Sequence, residues 1–222
     1  MNSHRNDELV WYLSYGSNLQ EERFMCYIQG GHPEGSEKDY KGCIDKARPK
    51  KWLPDEIRYP LYFAYPSSNW NGGIAFIRTT ELKEEAPTVA RRYLITKGQL
   101  EGVAAQENSK CDGDTDYAID FESLTVNGSL TIGTRLYDYL VLLGYDNGVP
   151  IITLTTSRML ALLKPSPEYV TVIARGLRET RGLLAEEACS YLFKKDGIKG
   201  NYEKSALLDI IQEAFEQTVE NP

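Results

Sequence analysis

Histidine is almost missing from this 222-residue chain: there are two, His4 and His32. His4 stands in a polar N-terminal stretch and His32 in the loop Gly30-Gly31-His32-Pro33, so neither closes an apolar element. A Ser/His/Asp or Cys/His nucleophile is therefore not the expected chemistry. Acid–base work falls to carboxylates or tyrosines. Cysteine is also scarce. Cys26, Cys43, Cys111 and Cys189 contain no C-x-x-C pair, which fits neither a zinc site nor a dense disulfide framework. No metal and no cofactor are expected. No apolar run approaches the ~20 residues of a membrane span, and the opening MNSHRNDE lacks the apolar stretch of a signal peptide. The expectation is a cytoplasmic protein with no membrane partner. With 25 Lys and Arg against 32 Asp and Glu, the net charge is −7, which argues against nucleic acid as the main partner.

What the chain does have is core material. Apolar residues make up 41%, and 15 Tyr, 6 Phe and 3 Trp are spread along its length. This is ample for one packed core, and a single domain over 1–222 is expected. Val10 to Tyr15 reads as a strand, broken by Gly16. A helix is expected from about Leu19 to Ile28, because Ser17 with Gln20 and Asn18 with Glu21 both match capping-box spacing. Residues 29–58 read as loop. Strands are expected at 59–65, 74–77 and 89–95, with Trp70-Asn71-Gly72-Gly73 as a turn and 81–87 as polar loop. Thr96 caps a helix from Lys97 to about Glu107 that Asn108 stops. Residues 109–134 turn acidic, with Asp112, Asp114, Asp116, Asp120 and Glu122, and glycines at 113, 128 and 133; they read as an insertion. Strands at 136–143 and 151–155 flank the hairpin signal Asn147-Gly148. Helices are expected at 169–182, 185–193 and from Tyr202 to about Val219. The whole reads as α+β, a mixed or mainly antiparallel sheet with peripheral helices.

Three places can carry chemistry. At the junction Tyr15-Gly16-Ser17-Asn18, a glycine lets the chain turn so that successive amides point into one concavity. The helix beyond adds free N–H groups, enough to hold a carboxylate or an oxyanion; an ordinary capped turn is the plain alternative. Glu107 follows Leu100, Val103 and Ala104 by seven, four and three residues, which puts its carboxylate on the apolar stripe, whereas Glu101 falls off it and should be solvated. A buried carboxyl has its pKa pushed up toward the range of a general base; a frayed helix end would instead leave it on the surface. Pro165-Ser166-Pro167-Glu168-Tyr169 presents Tyr169 rigidly, for a substrate or simply for packing.

Together these stretches resemble the gamma-glutamylcyclotransferases. Tyr12-Leu13-Ser14-Tyr15-Gly16-Ser17-Asn18-Leu19 is similar to their N-terminal strand and Y-G-S-N loop. Trp70-Asn71-Gly72-Gly73-Ile74-Ala75 is similar to their second glycine turn, Ala90 to Asn108 to the segment ending in the catalytic glutamate, and 165–169 to the segment with a substrate-contacting tyrosine. The resemblance covers roughly residues 10–182. It implies a compact, β-barrel-like mixed sheet with peripheral helices; against that pattern the stretch at about 109–134 reads as an insertion and about 183–222 as a helical C-terminal extension. It also implies an enzyme that releases 5-oxoproline from a small γ-glutamyl substrate, an amino acid or amine, without a cofactor. Glu107 would be general base and acid, and Tyr12, Leu13, Ser14, Tyr15, Gly16, Ser17, Asn18 and Tyr169 would bind substrate. Three features depart from the family pattern, one of them the expanded stretch at 29–58 together with a tail beyond about Leu183 that has no counterpart. Asn108 replaces a frequent glycine, and the long insertion leaves Tyr117, Tyr137 and Tyr139 as alternatives for a second pocket tyrosine. A binding protein that kept the fold without the chemistry, or a cyclotransferase acting on a larger γ-glutamyl substrate, are the competing readings.

Overall fold

The computed structural model describes residues 7–33, 39–80, 82, 87–110 and 117–217. His4, Cys111, Asp112, Gly113, Asp114, Asp116, Val219 and most of the 81–87 loop lie outside them. Among the described residues the elements in chain order are β1 (Leu9–Ser14), a 3-10 turn (Ser17–Leu19), α1 (Glu21–Gln29), β2 (Lys51–Ile57), β3 (Leu61–Ser67), β4 (Gly72–Ile77), β5 (Thr88–Thr96) and α2 (Lys97–Glu107). Then follow α3 (Phe121–Asn127), β6 (Ser129–Thr131), β7 (Tyr139–Asp146), β8 (Val149–Thr155), α4 (Pro167–Arg181), α5 (Ala185–Leu192) and α6 (Lys204–Gln217).

Six strands form one mixed sheet in the order β2-β5-β1-β8-β7-β6, with β1 parallel to β8 and the other neighbours antiparallel. β3 and β4 form a separate hairpin. This is the α+β architecture expected, without barrel closure: β2 and β6 end the sheet as edges. The hairpin is tied to that sheet by side chains. The Thr155 hydroxyl bonds both the N–H and the carbonyl of Ile77 at 3.3 Å, and Leu61 N–H donates to Thr88 Oγ1 at 3.1 Å.

β1 divides its side chains between two cores, because alternate residues of a strand face opposite ways. Val10 and Tyr12 join Phe24 and Ile28 of α1 and Leu100 and Val103 of α2. Leu13 and Tyr15 join Phe63 and Phe76 of the hairpin and Ile173 and Leu177 of α4. The turn leaving β1 is pinned from below. Buried Arg91 donates to the Leu19 carbonyl at 2.9 Å and pairs with Glu21 and Glu179, both at 2.9 Å. Gly176 of α4 explains itself here: a Cβ on it would stand 2.5 Å from the Leu19 Cβ. The ~1 kcal/mol that a mid-helix glycine costs is the condition for α4 to lie flush on the turn.

Several expectations are corrected. Residues 51–57, read as loop, are a strand paired along its length with β5; Pro54 and the charges hid it, and both are tolerated on an edge. α1 starts at Glu21, with Gln20 as a cap that makes no side-chain bond, so neither capping box forms. Glu101 is not simply solvated, since it accepts the Ile119 N–H at 2.9 Å and anchors the approach to α3. By contrast, α2 runs over the expected Lys97–Glu107 with a full Thr96–Gln99 capping box. The Asn147-Gly148 turn joins β7 to β8 with both residues at positive φ.

Candidate active site

Where β1 ends, the chain must turn, and the 3-10 turn at Ser17–Leu19 leaves its leading amides without intrahelical partners. Among the described residues the N–H groups of Gly16, Ser17 and Asn18 have no backbone carbonyl acceptor, and all three residues line a cavity of about 500 Å³. The opposite wall is the C-terminus of α2. Glu107, half-buried, accepts a hydrogen bond from Asn18 Nδ2 at 3.1 Å, and the same amide nitrogen lies 3.4 Å from Tyr12 Oη. Asn18 Oδ1 is buried and has no partner.

A third wall comes from the hairpin and α4. Tyr169 Oη accepts the Ala75 N–H at 3.2 Å. A Cβ on Gly16 would sit 3.1 Å from Ala75 Cβ, so glycine lets the hairpin at Ala75 close on the turn. Ser166 caps α4 through its hydroxyl, with Pro167 in the first turn, which is the rigid presentation expected of Tyr169.

The ambiguity among three tyrosines resolves to Tyr137, the only one of them in the cavity wall. Asn108 puts it there: its Nδ2 donates to Ala104 O and Tyr137 O at 2.8 Å, and its Oδ1 accepts Tyr137 N–H at 2.9 Å. Asn108 thus ties Tyr137 to the end of α2 that carries Glu107. Tyr137 Oη donates to Ala75 O at 2.9 Å. Tyr15 Oη is used in the frame, donating to Leu154 O at 2.8 Å. Leu13 is a correction: it lies 1% exposed, packed in the core beneath the hairpin and α4, and is not among the residues that line the cavity. Tyr12, Ser14, Tyr15, Gly16, Ser17, Asn18, Glu107 and Tyr169 all do.

The sequence reading missed one group. Arg23 of α1, 3% exposed, is among the residues lining the cavity, and its guanidinium lies 4.6 Å from the Tyr27 ring centroid and 4.5 Å from that of Tyr40. It sits in the run Glu21-Glu22-Arg23, which reads as a polar helix face. Tyr27, four residues on, was the local signal available; Tyr40 left none.

Burial pushes the phenols of Tyr12, Tyr15, Tyr137 and Tyr169 above their ordinary value of 10.0, Tyr169 to about 12, and the Glu107 carboxylate adds to the effect. They remain neutral at neutral pH and so work as hydrogen-bonding groups. A phenol with a raised folded-state pKa keeps its proton where the unfolded chain has lost it, so stability falls as pH rises between the two values. These groups are expected to leave stability level below about pH 9 and to lower it steeply above about pH 10. Urea midpoints taken through that range check it, and a midpoint unchanged at about pH 11 would contradict it.

The fold and this cavity define an α+β protein with one carboxylate facing a turn of free amides, walled by neutral tyrosines. No protein-family model matches the chain. Over 203 residues, 83% of this chain, it is 34% identical to a protein named histone deacetylase 5 of Arabidopsis thaliana; the match spans 30% of that protein's length. Among solved structures, a gamma-glutamyl cyclotransferase superposes with a TM-score of 0.48 at 18% identity, over 93% of this chain and 99% of its own. An uncharacterized protein of Homo sapiens does so with a TM-score of 0.49 at 19% identity, over 92% of this chain and 99% of its own.

Proposed function

We propose that the chain is a γ-glutamyl cyclotransferase that releases 5-oxoproline from a γ-glutamyl amino acid or amine. The observation that carries this reading is the Glu107 carboxylate held by Asn18 Nδ2 at 3.1 Å across from the Gly16-Ser17-Asn18 amides. The substrate's neutral α-amine attacks its own γ-carbonyl. The new C–N bond closes a five-membered lactam, and the C–N bond to the leaving amine breaks. Glu107 takes a proton from the attacking nitrogen and returns it to the leaving nitrogen. The unpartnered Asn18 Oδ1 accepts a second N–H of the attacking amine and so orients its lone pair. The turn amides stabilise the oxyanion, a contribution of ~10²–10³ in rate for each such donor. Tyr169 and Tyr137, both anchored on Ala75, shape the space for the glutamyl unit. No external nucleophile enters, which suits a chain whose described histidine, His32, is exposed and bonded to Asp39 at 3.0 Å.

The test is 5-oxoproline release from γ-glutamyl amino acids, γ-glutamyl amines and glutathione. Release from at least one of them is expected. A folded protein that releases none and binds no 5-oxoproline overturns the reading.

A further inference from the structure

Arg23 is a buried cation without an ion pair among the described residues. Its Nη2 donates to Tyr40 Oη at 2.7 Å and Tyr27 Oη at 3.2 Å, both neutral phenols. Its Nε and Nη1 meet no acceptor. That is one N–H from Nε and two from Nη1, on a side chain that stays charged at every working pH. A guanidinium taken out of water with only neutral hydrogen-bond partners is costly, even with the Glu107 charge near enough to act on it. The rings of Tyr27 and Tyr40, with Trp70 at 5.9 Å, hold it in place and recover part of that cost through cation–π contact. They cannot satisfy its free N–H groups. The chain has 32 acidic residues, and none of the described ones forms an ion pair with Arg23, whose hydrogen bonds go to the two phenols alone.

We propose that Arg23 is the anion subsite of the cavity and receives the α-carboxylate of the glutamyl unit. This rests on the cyclotransferase reading. In a γ-glutamyl substrate the α-amine and α-carboxylate share one carbon, so an amine held by Glu107 and Asn18 brings the carboxylate beside them. Arg23 follows Asn18 by five residues in the same turn-and-helix segment, lines the same cavity, and is close enough to Glu107 for their charges to interact. The other arginines of this cavity, Arg135 and Arg158, are exposed at its mouth, with Arg158 tied to Thr134 O at 2.6 Å. Solvent screens them, and they serve the solvent-facing end of a ligand.

The test compares L-5-oxoproline with L-5-oxoprolinamide, the same lactam with a neutral carboxamide in place of the carboxylate, by calorimetry and by inhibition of turnover. Wild-type protein is expected to prefer the acid about 10- to 100-fold, the range of a hydrogen bond to a charged group. Arg23→Gln is expected to lose that preference while still binding the amide, and Arg23→Lys to keep part of it. A merely structural role would weaken both ligands together and leave their ratio unchanged. Wild-type protein that releases 5-oxoproline yet shows no preference for the acid overturns the role of Arg23 and leaves the function standing, whether or not Arg23→Gln folds. Retention of the full preference in Arg23→Gln overturns it equally. Wild-type protein that neither releases 5-oxoproline nor binds either lactam overturns the function reading instead.

Discussion

Glu107→Gln is expected to keep the fold and 5-oxoproline binding and to cut 5-oxoproline release by about 10²–10⁴-fold, the usual contribution of a positioned acid–base group. The substitution changes little in shape. Glutamine retains a side-chain oxygen for Asn18 Nδ2, now 3.1 Å from the carboxylate, so the turn and the end of α2 stay joined. Asn108, which clamps Tyr137 to the same helix end, is untouched. What is lost is the ability to take a proton from the attacking nitrogen, since an amide is not a base near neutral pH. The loss should therefore fall on kcat, with KM little changed. Near-wild-type turnover would remove Glu107 from the mechanism. Equal loss of binding and turnover would make it a binding residue instead. A thermal unfolding midpoint within a few degrees of wild type is the control that gives either result its meaning.

How much of this was legible beforehand follows from how local each signal is. α2 and its carboxylate were readable because three kinds of signal agreed: Thr96 with Gln99 at the start, the Leu100-Val103-Ala104 stripe, and Asn108 at the stop. The hairpin between β7 and β8 was readable from Asn147-Gly148 alone. β2 was not, because an edge strand with Pro54, Asp55 and Glu56 looks like loop until β5 is known to lie alongside. The Y-G-S-N turn was placed correctly but for a partly wrong reason. Asn18 was read as a helix cap, and its amide is drawn instead to Glu107, 89 residues away. Leu13 was carried into the site by its neighbours and left it because its side chain is spent on packing in the core. Arg23 is the clearest case. Its aromatic cage comes from α1, the loop at Tyr40 and the hairpin turn at Trp70, and no local pattern encodes a meeting of three separated segments.

Gly73→Ala is expected to destabilise the protein by ~3 kcal/mol or more, at the upper end of what overpacking costs, and to lower the unfolding midpoint by ~6–12 °C. The φ of Gly73 is not in the left-handed region, so the cost is one of space. A Cβ there would stand 2.2 Å from the Leu163 carbonyl oxygen and 2.9 Å from its carbon. Neither atom is a flexible side-chain end. The Gly73 N–H donates to Lys164 O at 2.8 Å, and Leu163 N–H donates to Phe63 O at 3.1 Å, so residues 163 and 164 are fastened to both strands of the hairpin. Gly72 is in the same position against Ser166, where an added Cβ would meet the backbone nitrogen at 2.6 Å. The pair of glycines therefore lets β4 lie directly on the segment that leads through the Ser166 cap into α4. Pushing that segment away moves Tyr169 relative to Ala75, whose N–H it accepts at 3.2 Å, and with it one wall of the cavity. Turnover in Gly73→Ala should accordingly fall even at temperatures where the protein is folded, chiefly through a raised KM. An unfolding midpoint within about 2 °C of wild type would mean that the 163–166 segment moves aside freely, and that the glycine turn does not fix the wall carrying Tyr169.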